Sequence, residues 1–389
     1  MIGLGFTAFF EPLVNTFGWS YTQISLAASL RGAETGLLGP VTGLLVDRWG
    51  PRRLMVAGVI LTGFGLVFLS YTNSLGMFYG GFAIVALGIS CCTFTVVTTT
   101  LANWFRKKIG IVIGITASGF SLASFFVPLV VKLIDMFDWR MALLIIGLTI
   151  CIIGLPLSLL FRHKPEQYGY LPDGEQNLTT VHDQSPVRVE VYDVEINTKQ
   201  ALKSRTFWHI GIASLFHYFI IGIISTHIMP YLSSIGIPRS TASLMAMTAP
   251  LIGIPSRLGA GWLGDKFNTK LVAAAFSAIM MLGLFFSTFA SSELTRVVMP
   301  FLILFGIGWG GIATLRGVMI REYFGRNKFG TIFGFTAGMV AVGMIIGPLF
   351  AGWVFDKWAS YQITWFTSII LAFVSTAVLA TVPPVKIDS

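Results

Sequence analysis

Gly43-Leu-Leu-Val-Asp47-Arg48-Trp-Gly50-Pro-Arg52-Arg53 is the stretch that decides the fold. Apolar runs enclose it on both sides, roughly 20–46 and 53–71, so it is a tight, strongly basic turn between two long hydrophobic segments. It has a partner. Gly261-Trp-Leu-Gly-Asp265-Lys266 closes another apolar run 218 residues later. Further along, Trp104-Phe105 is followed by basic residues and by Gly110, Gly114, Gly119 and Pro128. Tyr323-Phe324 is followed in the same way by Gly330, Gly334, Gly338 and Pro348, at offsets of 219 or 220 residues. Two patterns repeating at one offset indicate an internal duplication.

The composition says in which solvent the halves fold. Of 389 residues, 54% are hydrophobic and 11% charged. Soluble domains carry about 25% charged residues, so no aqueous surface can be built from these. Mean hydropathy is +0.79. The net charge of +9 does not indicate nucleic acid, because the basic residues sit in short clusters between apolar runs. A bilayer-crossing helix needs about 20 apolar residues. The sequence supplies such runs at roughly 20–46, 53–71, 75–103, 109–134, 140–161, 206–230, 240–264, 270–290, 296–320, 329–354 and 361–382. These predict an all-α membrane protein with eleven full transmembrane helices. Met1 to about Thr16 is a partial first helix, and its hydropathy up to Met1 reads as truncation. Runs this long exclude barrel strands, which are shorter and alternate in polarity. Cys91, Cys92 and Cys151 all lie inside apolar runs and are expected to pack as small residues.

Residues 162–205 differ from the rest, holding 13 of the chain's 43 Lys, Arg, Asp and Glu. They are expected to link an N-terminal bundle, 1–161, to a C-terminal bundle, 206–389. Six spans per half is an even number, so both copies face the same way, as two pseudo-symmetric six-helix bundles in a parallel repeat. Lys and Arg counts give the orientation. Arg48, Arg52, Arg53, Arg106, Lys107, Lys108, Arg162, Lys164, Lys266, Lys270, Arg321, Arg326 and Lys328 lie in one set of loops, and only Arg140, Arg239, Arg296 and Lys357 in the other. The first set, the linker and both termini of a complete chain are therefore expected on the cytoplasmic side of a plasma (inner) membrane.

The motif and its setting resemble the major facilitator superfamily. Its signature between helices two and three, G-x-x-x-D-R-x-G-x-R-R, is met by Gly43, Asp47, Arg48, Gly50, Arg52 and Arg53. The resemblance implies a cytoplasmic latch formed by these residues, and by Gly261, Asp265 and Lys266 in the second half. Phe9-Phe10-Glu11-Pro12-Leu13, Phe17-Gly18-Trp19-Ser20, Ile24-Ser25 and Glu322-Tyr323-Phe324-Gly325 are similar to the monocarboxylate and oxalate–formate group. That group implies transport of a small organic anion, with an arginine on the eighth helix as the carboxylate anchor. Arg257 falls at that place. The chain also departs from the group. The aspartate expected one turn earlier is Gly253, a first-helix lysine is replaced by about Leu4, and Lys328 stands only at the start of the eleventh span.

Charges at bilayer depth are costly and by default mark a pathway. Arg257 is the first candidate, because a guanidinium matches a carboxylate bidentately and Gly253, Pro255 and Gly259 leave room around it. Arg31 and Glu34 share a helix face at i,i+3; they can contact substrate or merely neutralise each other. Arg316 can contact the ligand or belong to a cytoplasmic gate. His217 can carry a proton or be a packed core histidine. His209 and His227 fall nearer the ends of their span and are expected at the interface. Their spacings of eight and ten residues around His217 lack metal-ligand geometry, so no metal and no cofactor is expected. No phosphate-binding loop is present.

The expected function is secondary transport of a small organic anion by alternating access, coupled to a proton or an exchanged anion, in a monomer without nucleic-acid partners. A carrier of an unrelated drug or nutrient, or a non-transporting sensor using the linker as its output, are the alternatives. A membrane enzyme finds no nucleophile–base or metal constellation.

Overall fold

The computed structural model describes residues 5–30, 42, 45, 48–92, 96–97, 100–101, 104, 116, 119, 121–162, 198–291, 294–324 and 329–383. These residues are helical with short turns, and no strand occurs among them. In chain order the helical stretches of eight residues or more are α1 (Phe10–Phe17), α2 (21–30), α3 (Pro51–Ser70), α4 (Leu75–Ser90), α5 (Phe126–Leu159), α6 (Arg205–Ser234), α7 (Arg239–Ala246), α8 (Thr248–Lys266), α9 (Thr269–Ser287), α10 (Val298–Phe324), α11 (Phe329–Trp358) and α12 (Gln362–Ala380). Among the described residues seven helices are long and apolar enough to cross a membrane. The protein is thus an all-α membrane protein.

One departure from the predicted spans has a local cause. The run 240–264 is divided at Met247 into α7 and α8. Pro250 has no N–H to give to the carbonyl of Ala246, so the ladder fails there. Between the runs 109–134 and 140–161 the stretch α5 is, as expected, two helices, which meet at a break at Asp138 (φ 72°, ψ 158°), a conformation that costs a non-glycine residue about 1–3 kcal/mol.

By its internal contacts the chain forms two compact units. One comprises 1–36, 120–142 and 194–389, the other 37–119 and 143–193. In the smaller unit, small residues let helices approach backbone to backbone. A Cβ on Gly58 would lie 2.7 Å from the carbonyl oxygen of Gly88, and one on Gly63 would meet the Cys151 sulfur. Cys92 Sγ lies 3.5 Å from the Met55 carbonyl oxygen, and all three cysteines are half-buried thiols outside any disulfide. Gly50 caps α3 at φ 79°, ψ 155°, with Pro51 as the first helical residue. That backbone region is open essentially to glycine alone, so Gly50→Ala should cost about 1–3 kcal/mol. It should appear as a lower melting temperature in detergent; an unchanged melting temperature would mean the turn relaxes freely.

In the larger unit α6 packs on α11, and α10 on α8 and α9. Gly343 and Gly347 of α11 meet the main chain of α6 at Leu215 and Phe219, and Gly310 of α10 stands against Gly253 of α8, where a Cβ would be 2.5 Å from the Gly253 carbonyl. Ser256 Oγ donates to the Ile307 carbonyl at 2.5 Å, fixing the register of α8 on α10.

Candidate functional site

The α8–α10 register brings two arginines to within about one helix turn of each other along the axis. Gly253 faces Gly310, and Gly261 faces Thr314. Arg257, midway between those glycines, therefore lies level with residues 310–314, and Arg316 follows Thr314 by two residues, about 3 Å along the axis at the helical rise. The ring of Tyr218 of α6 lies 5.4 Å from the Arg316 guanidinium carbon. Phe333 of α11 lies against the same Arg316 guanidinium at 4.5 Å. Such cation–π contacts hold a guanidinium through its face and leave its edge N–H donors available. Nε and Nη1 of Arg316 are buried with no hydrogen-bond acceptor among the described residues. Both arginines are half-buried, and the Nε of Arg257 is also buried.

The glycines expected to make space around Arg257 divide in their roles. Gly253 faces Gly306 and Gly310 and is a helix-contact residue, whereas Gly259 faces open space.

His217 is 1% exposed. Its Nε2 is 2.9 Å from Ser277 Oγ on α9, and Ser277 Oγ in turn accepts from Thr376 Oγ1 of α12 at 2.8 Å. It shares with Arg316, Ala273 and Met319 a cavity of about 10 Å³. That is room for one water and not for a carboxylate, so the imidazole sits beside Arg316 as a bonded core residue.

His227 corrects an expectation. It is not interfacial: it is fully buried and bonded to Ser25, Tyr361 and the Pro348 carbonyl. The reason is that α6 continues to Ser234, two turns beyond His227. His209 is half-buried.

Arg31, Glu34, Gly43 and Asp47 lie outside the described residues. Of the expected latch, Arg48, Arg52 and Arg53 are exposed on either side of Gly50, and Asp265 and Lys266 are exposed at the end of α8. Lys266 Nζ lies 4.2 Å from the Trp262 ring. Gly261 has only a Thr314 methyl, at 3.9 Å, near its missing Cβ. Among the described residues no group of three His, Cys, Asp or Glu could hold a metal ion. Tyr218 and Phe333 were not singled out by sequence, since nothing distinguishes them among 10 Tyr and 33 Phe.

A multi-pass helical protein with arginines inside its helices has the character of a membrane carrier. The sequence matches the Major Facilitator Superfamily over residues 1–335 and 235–388, and the chain belongs to that superfamily of transporters. It is 25% identical over 391 residues to monocarboxylate transporter 12 of Mus musculus, covering 94% of this chain and 80% of the relative. It is 27% identical over 345 residues to the MFS-type transporter opdF of Penicillium oxalicum, covering 86% and 74%. Among solved structures it resembles a bacterial homolog of the human lysosomal transporter Spinster, in an inward-facing and occupied conformation. There the TM-score is 0.72 at 16% identity, over 98% of this chain and 92% of that one. A nucleoside transporter gives a TM-score of 0.74 at 15% identity, over 97% and 94%.

Proposed function

We propose that this major facilitator protein is a secondary active carrier of a small organic anion, a mono- or dicarboxylate, moved by alternating access. The observation that carries the reading is Arg316, whose Nε and Nη1 are buried with no acceptor among the described residues, about one helix turn along the axis from the level of half-buried Arg257. Two cations this near in level within a membrane domain are tolerable when an anion can visit them. The names of relatives, monocarboxylate transporters 12 and 13 among them, support a carboxylate. The six-and-six arrangement with linker 162–205, the cytoplasmic placement of the Arg48–Arg53 turn, the latch role of that turn and a plasma-membrane location belong to the same proposal. Arg31 and Glu34 stand as further candidates for the pathway, and His217 as a neighbour of the anion rather than its ligand.

The test is uptake of labelled carboxylates by proteoliposomes. Arg316→Gln keeps a planar polar end but loses the charge, and a hydrogen bond to a charged group is worth about 1.5–3 kcal/mol. The half-saturating concentration should rise roughly ten-fold or more. Saturation at the wild-type concentration would remove Arg316 from the site.

A further inference from the structure

The start of α6 is a fixed, strongly basic corner. A short helix, Thr198–Lys203, leads into it and packs on α6 and α11. Ser204 caps α6 by accepting from the Phe207 N–H at 3.2 Å, and its hydroxyl donates to the Ala201 carbonyl at 2.6 Å. The Trp208 indole N–H donates to the Leu202 carbonyl at 3.0 Å. Ala201 is fully buried, so the short helix turns Lys199 and Lys203 outward. Both are exposed, as is Arg205.

Two hydrogen bonds bring a second helix start to this corner. Thr206 Oγ1 donates to the Pro383 carbonyl at 2.8 Å, and Lys270 Nζ donates to the carbonyl of the preceding Val382 at 3.2 Å. The first turns of α6 and α9 thus grip adjacent residues just beyond α12, and Lys203, Arg205 and Lys270 gather where they meet.

These charges stand against the local energetics. Cations stabilise the C-terminal end of a helix and are disfavoured at its N-terminal end. Arg205 is the first residue of α6 and Lys270 the second of α9, and neither first turn holds an acid. Lys199 and Lys203 are a like-charged i,i+4 pair, which weakens a helix. Among the described residues no carboxylate pairs with any of the four. Lys270 keeps two ammonium donors beyond its bond to Val382. An anion at this corner turns each of these penalties into an attraction.

The surroundings say which anion. Trp208, Trp262 and Phe267 are all exposed, and Lys266 Nζ lies 4.2 Å from the Trp262 ring. Exposed indoles near the end of a membrane span mark the level of the headgroups. A soluble anion meets only the cations, whereas a phospholipid meets the cations with its phosphate and the rings with its acyl chains. We propose that the corner of α6, α9 and the end of α12 is a seat for the phosphate of an anionic phospholipid of the bilayer, held by Lys203, Arg205 and Lys270. The Lys and Arg count assigns this end to the cytoplasmic leaflet, where anionic lipids supply such groups. Arg205 lies thirteen residues before Tyr218 on α6, about 20 Å at the helical rise, so the seat is separate from Arg316. The proposal rests on the chain's membership of a membrane-transporter superfamily and does not depend on the transported molecule.

The test is native mass spectrometry of the purified full-length protein in detergent, titrated with phosphatidylglycerol and with phosphatidylcholine of the same acyl chains. A Lys or Arg near the membrane surface contributes about five-fold in affinity for anionic lipid. The first phosphatidylglycerol should bind at least about ten-fold tighter than phosphatidylcholine. Arg205→Gln/Lys270→Gln should lose about twenty-five-fold of that affinity. Arg296→Gln/Lys357→Gln removes the same charge from the opposite loops and should lose none. Arg205→Lys/Lys270→Arg keeps the charge and should keep the binding, which separates the seat from a folding defect. Equal affinity for the two lipids, equal loss in the two glutamine variants, or loss in the charge-preserving swap as severe as in Arg205→Gln/Lys270→Gln would each overturn the proposal. Displacement of phosphatidylglycerol by an equal concentration of sn-glycerol 3-phosphate would also overturn it, because the corner would then take a soluble anion and not a lipid.

Discussion

Arg257→Ala is expected to abolish carboxylate uptake by proteoliposomes while the protein still inserts and purifies as a single species. Truncating one partner of a buried, hydrogen-bonded charge pair costs about 2–5 kcal/mol, or roughly thirty-fold to several thousand-fold in affinity. The folded state should lose little, because Arg257 is half-buried on a helix whose packing on α10 is made by Gly253, Ser256 and Gly264 instead. Arg257→Lys should recover only part of the uptake, since an ammonium offers no planar fork. Normal uptake by the alanine variant would reject the anion site, leaving the superfamily assignment untouched.

The second large effect concerns the fold. Gly347→Leu places a Cβ against the Phe219 main chain of α6, which no rotamer change can relieve. Overpacking typically costs 1–3 kcal/mol; a main-chain clash should reach the upper end at least. The variant should elute as aggregate in size-exclusion chromatography or melt well below wild type. Gly334→Leu is the control, because nothing lies within 4 Å of its Cβ position in the same helix. A well-behaved Gly347→Leu protein would mean that α6 and α11 do not touch there.

The sequence was most informative where chemistry restricts residue type. Glycine adopts the backbone of residue 50 without strain, so the turn before α3 could be read from Gly50-Pro51 and its flanking arginines. The apolar runs gave the helices because a bilayer demands length. Proline and long-range pairing limited the rest. Pro250 acts through a missing donor to Ala246, and hydropathy is blind to donors, so the α7–α8 break stayed hidden inside a continuous apolar run. His227 looked interfacial because the end of the run was placed at about residue 230, while the helix continues to Ser234. Arg257 and Arg316 stood out as charges in apolar surroundings. Tyr218, the aromatic neighbour of Arg316, did not, because its role arises only when α6 is folded against α10. The corner of Arg205 and Lys270 was equally inconspicuous: the two helix starts meet only through their bonds to Pro383 and Val382.

The central claim is that the negative charge of the ligand, held by guanidinium edges beside Tyr218, is what the protein recognises. Thermal stabilisation of the purified wild-type protein tests it directly, using small carboxylic acids beside their uncharged primary amides. The two series match in shape and differ in charge. Carboxylates should raise the melting temperature in a saturable way, and their amides should not. Equal stabilisation by acid and amide, or stabilisation by the amides alone, would contradict the claim.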